Sequence, residues 1–178
     1  MTVVAGYTDG KTWAIASDSG CYDTDSDTFY LATDAKIWKA GDSLVGVAGD
    51  MYVLQLVRES GLSTALEIQK FLLDKDIKGT DDLQWDVLVV TRTYIDYMGD
   101  DFGIMRNKAN YCAVGGAGAS LGLGALAMCS IQKMNPLDAV RMSVKVSLRH
   151  STFADGDIKA LSLPEVKKPP KLKKEIDK

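Results

Sequence analysis

Segments with strand patterns and segments with helix patterns follow one another in groups along this chain of 178 residues. Four short apolar runs come before any helical pattern, and two helical patterns follow them. More strand-like runs, two further helices and a last strand complete the order. A parallel sheet built from βαβ units would need strands and helices to alternate one by one. The order therefore predicts an α+β domain built in layers.

Turn residues bound the predicted strands, and capping residues begin the predicted helices. Asp50 and Ser63 are the expected caps of the first two helices, and Asn135 with Pro136 begins the last one. Segment 18–34, rich in aspartate, is predicted as a loop with one short strand around Phe29. The predicted strands are 3–7, 13–17, 37–38, 44–48, 85–90, 91–97, 111–114 and 157–163. The predicted helices begin at 51, directly after the Ser63 cap, at 119 and at 136.

The first two strands are predicted to form a hairpin around Asp9-Gly10, which places Thr2 and Asp18 near the same end. Thr2 follows Met1, and methionine aminopeptidase generally removes Met before a small residue. A terminal Thr carries a hydroxyl together with an α-amine whose pKa is about 7.7–8.0. Such a residue can act as a nucleophile with its own base. The alternative is that Thr2 is only the first residue of a strand.

Composition excludes several classes of function. The net charge of −3 argues against binding to nucleic acid. Three cysteines without CxxC spacing and a lone His150 predict neither a disulfide framework nor a metal site, and no cofactor is expected. No apolar run reaches the roughly 18 residues that span a bilayer, and the first seven residues lack a secretory pattern. We expect a cytoplasmic protein without a membrane association.

Two other groups of residues are candidate sites. Cys21 and His150 could form a cysteine nucleophile and its base, but no local signature supports the pair. The glycine-rich segment 115–122 follows a strand and begins a helix, as phosphate-binding loops do. Its spacing departs from GxGxxG because Leu121 stands where that motif continues. Close backbone packing accounts better for these glycines.

Five short segments, in order, carry a resemblance to a known family. They are Thr2-Val3-Val4-Ala5, Asp18, Asp34-Ala35-Lys36-Ile37, Val45-Gly46-Val47-Ala48-Gly49-Asp50 and Ala113-Val114-Gly115-Gly116-Ala117-Gly118. With them the chain resembles the β-type subunits of the proteasome, and most closely bacterial HslV, among the N-terminal nucleophile (Ntn) hydrolases. The resemblance covers residues 2–163 and implies a four-layer αββα sandwich of two antiparallel sheets between helix pairs.

The resemblance also implies a function. Thr2 would be the nucleophile of a threonine-type peptidase, Lys36 and Asp18 would tune its hydroxyl, and the amide of Gly49 would bind the oxyanion. Members of the family assemble into rings with themselves, and an ATPase unfoldase partner and a peptide or unfolded protein as substrate are implied in the same way. No cofactor is implied.

Some positions depart from the family pattern. Gly116 stands where the family commonly has a serine, and His150 and Phe153 stand where it has an aspartate and a serine. These departures leave two alternatives open: a catalytically degenerate scaffold or assembly subunit, and an Ntn amidase that acts on a small amide. We expect one domain over residues 1–163. Residues 164–178, rich in lysine and proline, are expected to form a disordered or docking tail.

Overall fold

The computed structural model of this chain describes residues 2–23, 28–31, 36–77, 84–116, 118–150 and 156–164. Strands and helices occur in the grouped order that the sequence pattern predicts. The strands are β1 (Val3–Thr8), β2 (Thr12–Asp18), β3 (Gly20–Asp23), β4 (Thr28–Leu31), β5 (Ile37–Ala40), β6 (Ser43–Gly49), β7 (Trp85–Val90), β8 (Ile95–Gly99), β9 (Ile104–Asn107), β10 (Tyr111–Gly115) and β11 (Ile158–Pro164). The helices are α1 (Met51–Ser60), α2 (Ala65–Asp74), α3 (Ala119–Ile131) and α4 (Pro136–His150).

Two antiparallel sheets form the centre of the domain. One has four strands in the order β10-β1-β2-β11, and the other has five strands in the order β5-β6-β7-β8-β9. A small separate ladder joins β3 to β4. Because β1 is a central strand of its sheet, both of its edges are paired, with β2 on one side and β10 on the other. The start of β1 is therefore held from two sides.

Side chains alternate between the two faces of each strand and divide the core into layers. Val4 lies in a cluster between the two sheets with Ile15 and Leu88. The next residue, Ala5, belongs to the cluster under α3 and α4. Val47 on β6 belongs to a third cluster, which α1 and α2 cover. The order of helix pair, sheet, sheet and helix pair confirms the predicted four-layer αββα sandwich.

Glycines let the two sheets approach each other closely. A Cβ at Gly46 would lie 2.7 Å from Cγ1 of Val4, and a Cβ at Gly6 would lie 2.5 Å from Cγ2 of Val90. Neither distance leaves room for a methyl group in a close-packed interior. These two positions therefore set how near β1 comes to β6 and β7.

The predicted hairpin at the amino end is confirmed. The carboxylate of Asp9 accepts the N–H groups of Lys11 and Thr12 at 2.8 and 2.7 Å, and Gly10 has a φ of 82°. This Asx turn reverses the chain in the conformation that glycine tolerates best. The turn sets the register of β1 against β2, in which Val4 faces Ser17.

Asp50 caps α1 as predicted, since its carboxylate accepts the N–H groups of Tyr52 and Val53. The predicted cap of α2 at Ser63 is wrong, because Thr64 occupies that position. Thr64 accepts the N–H of Glu67 through its hydroxyl, and the Glu67 carboxylate accepts the N–H of Thr64 in return. A capping box needs an acid three residues after the cap, and only Thr64 has one at that spacing.

Three strand predictions need correction. Within its described residues, segment 18–34 has two strands paired with each other, β3 and β4, rather than one, because backbone pairing forms a strand where aspartates hide the apolar pattern. The strand predicted from residue 91 begins at Ile95, since Thr91 and Tyr94 close a turn through their backbones. The edge strand β9 was not predicted.

The last strand, β11, pairs with β2 and includes Pro164, which was predicted as the first residue of the tail. Residues 165–178, the rest of the predicted tail, lie outside the described residues. Within the described part of the chain, no helix has the length and apolar character needed to cross a bilayer.

Candidate active site

Thr2 lies immediately before β1, and its side chain meets a buried lysine. Nζ of Lys36 donates to Oγ1 of Thr2 at 2.6 Å. Lys36 directly precedes β5 of the other sheet, so the stacking of the two sheets brings the two side chains together. Thr2 is 7% exposed and Lys36 is 2% exposed. A hydroxyl and an ammonium group are thus in contact and almost entirely removed from solvent.

Asp18, the last residue of β2, completes the cluster. Its Oδ2 accepts from Nζ of Lys36 at 3.2 Å, and its Oδ1 accepts the backbone N–H of Val3 at 2.8 Å. Burial raises the pKa of Asp18, and the positive charge of Lys36 partly opposes that shift. The carboxylate therefore holds both the lysine and the backbone next to Thr2.

The third donor of the Lys36 ammonium is also used, by the backbone carbonyl of Gly20 on β3. An ammonium group has three donors, and the acceptors Thr2 Oγ1, Asp18 Oδ2 and Gly20 O account for them. With all three directions occupied, the charge is fixed beside the threonine oxygen. A fixed positive charge there stabilises that oxygen as it loses its proton.

A glycine pair at the end of β10 holds the backbone of Thr2. The N–H of Gly116 donates to the carbonyl of Thr2 at 3.1 Å. Gly115 has a φ of 111°, and a Cβ on it would lie 2.0 Å from the same carbonyl oxygen. We name residues Gly115 and Gly116 the glycine turn. The close approach of this turn to Thr2 is open only to a residue without a side chain.

Gly49 ends β6 near the glycine turn. The methyl of the preceding residue, Ala48, lies 3.3 Å from the position that a Cβ on Gly115 would take. Gly49 itself is exposed and has a φ of 97°, and a Cβ there would lie 2.1 Å from the carbonyl oxygen of Gln84. The backbone at Gly49 therefore has a conformation that L side chains rarely adopt.

His150, the last residue of α4, is exposed, and no described contact joins it to Thr2. Ser147, one turn earlier, donates to the carbonyl of Gly118 at 2.8 Å. A Cβ at Gly122 would lie 2.8 Å from the hydroxyls of Ser143 and Ser147, so close helix packing explains this glycine.

Phe153 and the side chain of Cys21 lie outside what the structure describes.

The sequence pattern did not single out Asp86 and Tyr97 as neighbours of the site. Asp86 on β7 accepts the N–H of Gly115 through Oδ2 and the hydroxyl of Tyr97 through Oδ1, both at 3.0 Å. Burial raises the pKa of Asp86. The sequence does mark Asp86 in one way, because it is the one charged residue in the apolar run Trp-Asp-Val-Leu-Val-Val. A carboxylate in such a strand needs hydrogen-bonding partners.

Two solved structures share this arrangement of sheets and helices. BPH from Thiobacillus denitrificans, in complex with epoxomicin, aligns with a TM-score of 0.73 and 17% identity over 94% of this chain and 100% of BPH. HslV from Trypanosoma brucei aligns with a TM-score of 0.72 and 12% identity over 92% of this chain and 99% of HslV. The chain has the HslV fold. No protein-family model and no curated protein matches the sequence.

Within this HslV fold, the described cluster can support one kind of chemistry without further groups. A buried hydroxyl, a lysine charge and a carboxylate that orients the lysine are the parts of an activated oxygen nucleophile. Among the described residues, no group of His, Cys, Asp and Glu side chains is arranged to hold a metal ion. The hydroxyl of Thr2, with the ammonium of Lys36 and the carboxylate of Asp18 beside it, is suited to nucleophilic attack by oxygen.

Proposed function

We propose that this chain is a threonine-type peptidase whose nucleophile is the hydroxyl of Thr2. The observation that carries the proposal is the contact of 2.6 Å between Lys36 Nζ and Thr2 Oγ1, with Asp18 behind the lysine. A structural ion pair would need only Lys36 and Asp18. The inclusion of a threonine hydroxyl in a buried, charged cluster favours catalysis over a purely structural role.

The proposed reaction begins with removal of Met1, which exposes the α-amine of Thr2. That amine accepts the hydroxyl proton as Oγ1 attacks the carbonyl carbon of a peptide bond. Lys36 stabilises the developing charge on Oγ1, and the N–H of Gly49 is proposed to donate to the oxyanion. The leaving amine takes the proton from the α-amine, and water then hydrolyses the acyl ester on Thr2.

We further propose that the protein works as a ring of identical subunits on peptides or unfolded proteins, with an ATPase unfoldase as partner. The support is the shared fold with HslV and BPH. Analytical ultracentrifugation of the purified chain measures the assembly. A protein that sediments as a monomer at micromolar concentration contradicts the ring.

Three measurements test the nucleophile. Intact mass determines whether Met1 is absent, and hydrolysis of fluorogenic peptides is compared between wild type, Thr2→Ala and Thr2→Ser. We expect no hydrolysis by Thr2→Ala, partial activity in Thr2→Ser and full activity in Thr12→Ala, a control in the same hairpin. Epoxomicin, the ligand of BPH, should raise the Tm of wild type but not of Thr2→Ala. Retention of Met1 on a hydrolytically active chain contradicts the mechanism.

One observation favours a second candidate, a scaffold subunit without peptidase activity. Gly116 donates to the carbonyl of Thr2 and offers no side-chain hydroxyl at that point. A proton relay that needs a hydroxyl there is therefore interrupted. A wild-type protein that forms rings but hydrolyses no peptide, with Met1 removed, supports the scaffold.

A further inference from the structure

Asp86 lies between the two sheets, where an unpaired carboxylate is costly. Side chains alternate along β7, and Leu88 and Val90 from the same face belong to the cluster between the sheets. Val87 and Val89 from the opposite face pack under α1 and α2. Asp86 therefore shares an apolar face, where its charge must be offset by hydrogen bonds.

Both oxygens of Asp86 have a donor, and the two donors come from different sheets. The hydroxyl of Tyr97, on the neighbouring strand β8, donates to Oδ1, while the N–H of Gly115, on the other sheet, donates to Oδ2. Gly99, directly opposite Asp86 in the ladder, makes room for that hydroxyl, since a Cβ there would lie 2.8 Å from it. Asp86 thus makes a polar tie from one sheet to the other.

The tie ends on the backbone that holds Thr2. Gly115 and Gly116 form the glycine turn, and Gly116 donates to the Thr2 carbonyl at 3.1 Å. At its other end, Asp86 faces Ala48 in the β6–β7 ladder, one residue before Gly49. A shift of the glycine turn would move Thr2 relative to the strand that carries Gly49.

We infer that Asp86 is a positioning residue that sets the distance between the Thr2 hydroxyl and the Gly49 amide by holding the glycine turn against the five-stranded sheet. This role rests on the proposed peptidase function. The described hydrogen bonds of Asp86 come from Tyr97 and Gly115 rather than from the Thr2 hydroxyl, so it acts through Gly115. A misplacement of about 1 Å in a catalytic arrangement costs on the order of a hundredfold in rate.

The test compares kcat and KM for peptide hydrolysis in Asp86→Val, Asp86→Asn and wild type. Asp86→Val keeps a strand-forming, apolar side chain but removes both acceptors, so kcat should fall about tenfold to a hundredfold with KM nearly unchanged. Asn can accept the Gly115 N–H with its carbonyl while its NH₂ group donates to the Tyr97 hydroxyl, so Asp86→Asn should recover kcat to within about threefold.

Asp96→Val is the matched control. Asp96 is also a buried carboxylate of the five-stranded sheet, but it pairs with Arg106 rather than with the glycine turn. Its loss should lower stability without changing kcat by more than about twofold. A kcat for Asp86→Val within twofold of an active wild type overturns the inference. If Asp86→Val does not fold, the double variant Asp86→Val with Tyr97→Phe, which leaves no phenol hydroxyl without a partner, takes its place.

Hydrogen exchange separates this inference from the proposed function. The amides of residues 115 and 116 should exchange at least about tenfold faster in Asp86→Val than in wild type, and Asp86→Asn should resemble wild type. This readout needs no activity. An inactive wild type with faster exchange in Asp86→Val contradicts the peptidase but supports the tie, whereas unchanged exchange refutes the positioning role whether or not peptides are cleaved.

Discussion

The ammonium of Lys36 lies 2.6 Å from the hydroxyl oxygen of Thr2, although 34 positions separate the two residues along the chain. Lys36 directly precedes β5 of the five-stranded sheet, and Thr2 directly precedes β1 of the four-stranded sheet. The contact between them therefore depends on how the sheets stack. Replacements at each member of the cluster have distinct expected effects.

Lys36→Met removes the charge and keeps a long, apolar side chain. We expect kcat for peptide hydrolysis to fall by about 10²- to 10³-fold, because the Thr2 oxygen loses its stabilising charge. Lys39→Met is the control, since Lys39 lies on β5, three residues after Lys36, and is exposed. An unchanged kcat in Lys36→Met would show that Lys36 serves only as the structural ion-pair partner of Asp18.

Asp18→Asn breaks a fully buried ion pair by removing one partner. Lys36 then keeps its charge without a counter-charge, and such changes cost about 3–5 kcal/mol in the free energy of unfolding. Urea unfolding measures this loss. Asp42→Asn, an exposed change in the β5–β6 turn, should stay within about 0.5 kcal/mol of wild type. Equal stability of the two variants contradicts the pairing of Asp18 with Lys36.

Gly115→Ala should disrupt the site through a steric clash between the new methyl group and the backbone of Thr2. The new methyl would lie 2.0 Å from the Thr2 carbonyl oxygen, so either the turn or Thr2 must move. Gly10→Ala isolates the effect of backbone strain, because Gly10 also has a positive φ but has nothing within 4 Å of its Cβ position. We expect Gly10→Ala to lose about 1–3 kcal/mol and keep its activity, whereas Gly115→Ala loses activity as well. Similar kinetics in both variants would contradict the close approach.

The pH dependence of stability should report on Asp86. Burial raises its native pKa above the ordinary value of 3.8, Asp100 adds to the shift, and the donors Tyr97 and Gly115 oppose it. The native protein therefore holds this proton more tightly than the unfolded chain does. As pH rises from about 4 through the native pKa, the contribution of Asp86 to stability falls.

Asp86→Asn does not titrate, so the free energy of unfolding of wild type minus that of Asp86→Asn should decline across this range. Chemical unfolding at a series of pH values between about 4 and 7 measures the difference. The control is Thr12→Ala, which removes no ionisable side chain, so its difference should be flat. A difference for Asp86 that grows with pH would contradict the raised pKa.

Local rules predicted much of the fold. The Asp9-Gly10 turn, the Asp50 cap and the grouping of strands and helices each depend on residues close in the chain, and all three are present in the structure. Thr64 shows the limit of such rules, because both it and Ser63 can cap a helix and the choice depends on Glu67. The strands β3 and β9 were hidden because pairing with a neighbour, rather than their own sequence, makes them strands.

Thr2 and Asp18 can be placed at one end of a hairpin from the order of residues alone, since the turn between them sets their register. The sequence also pointed to Lys36, Gly49 and Gly116, through resemblance to the proteasome and HslV family. The contacts of Lys36 with Thr2 and of Asp86 with Gly115 follow from the packing of the fold, because both cross from one sheet to the other. Such contacts depend on the distance between stacked sheets, which Gly6 and Gly46 allow to be short.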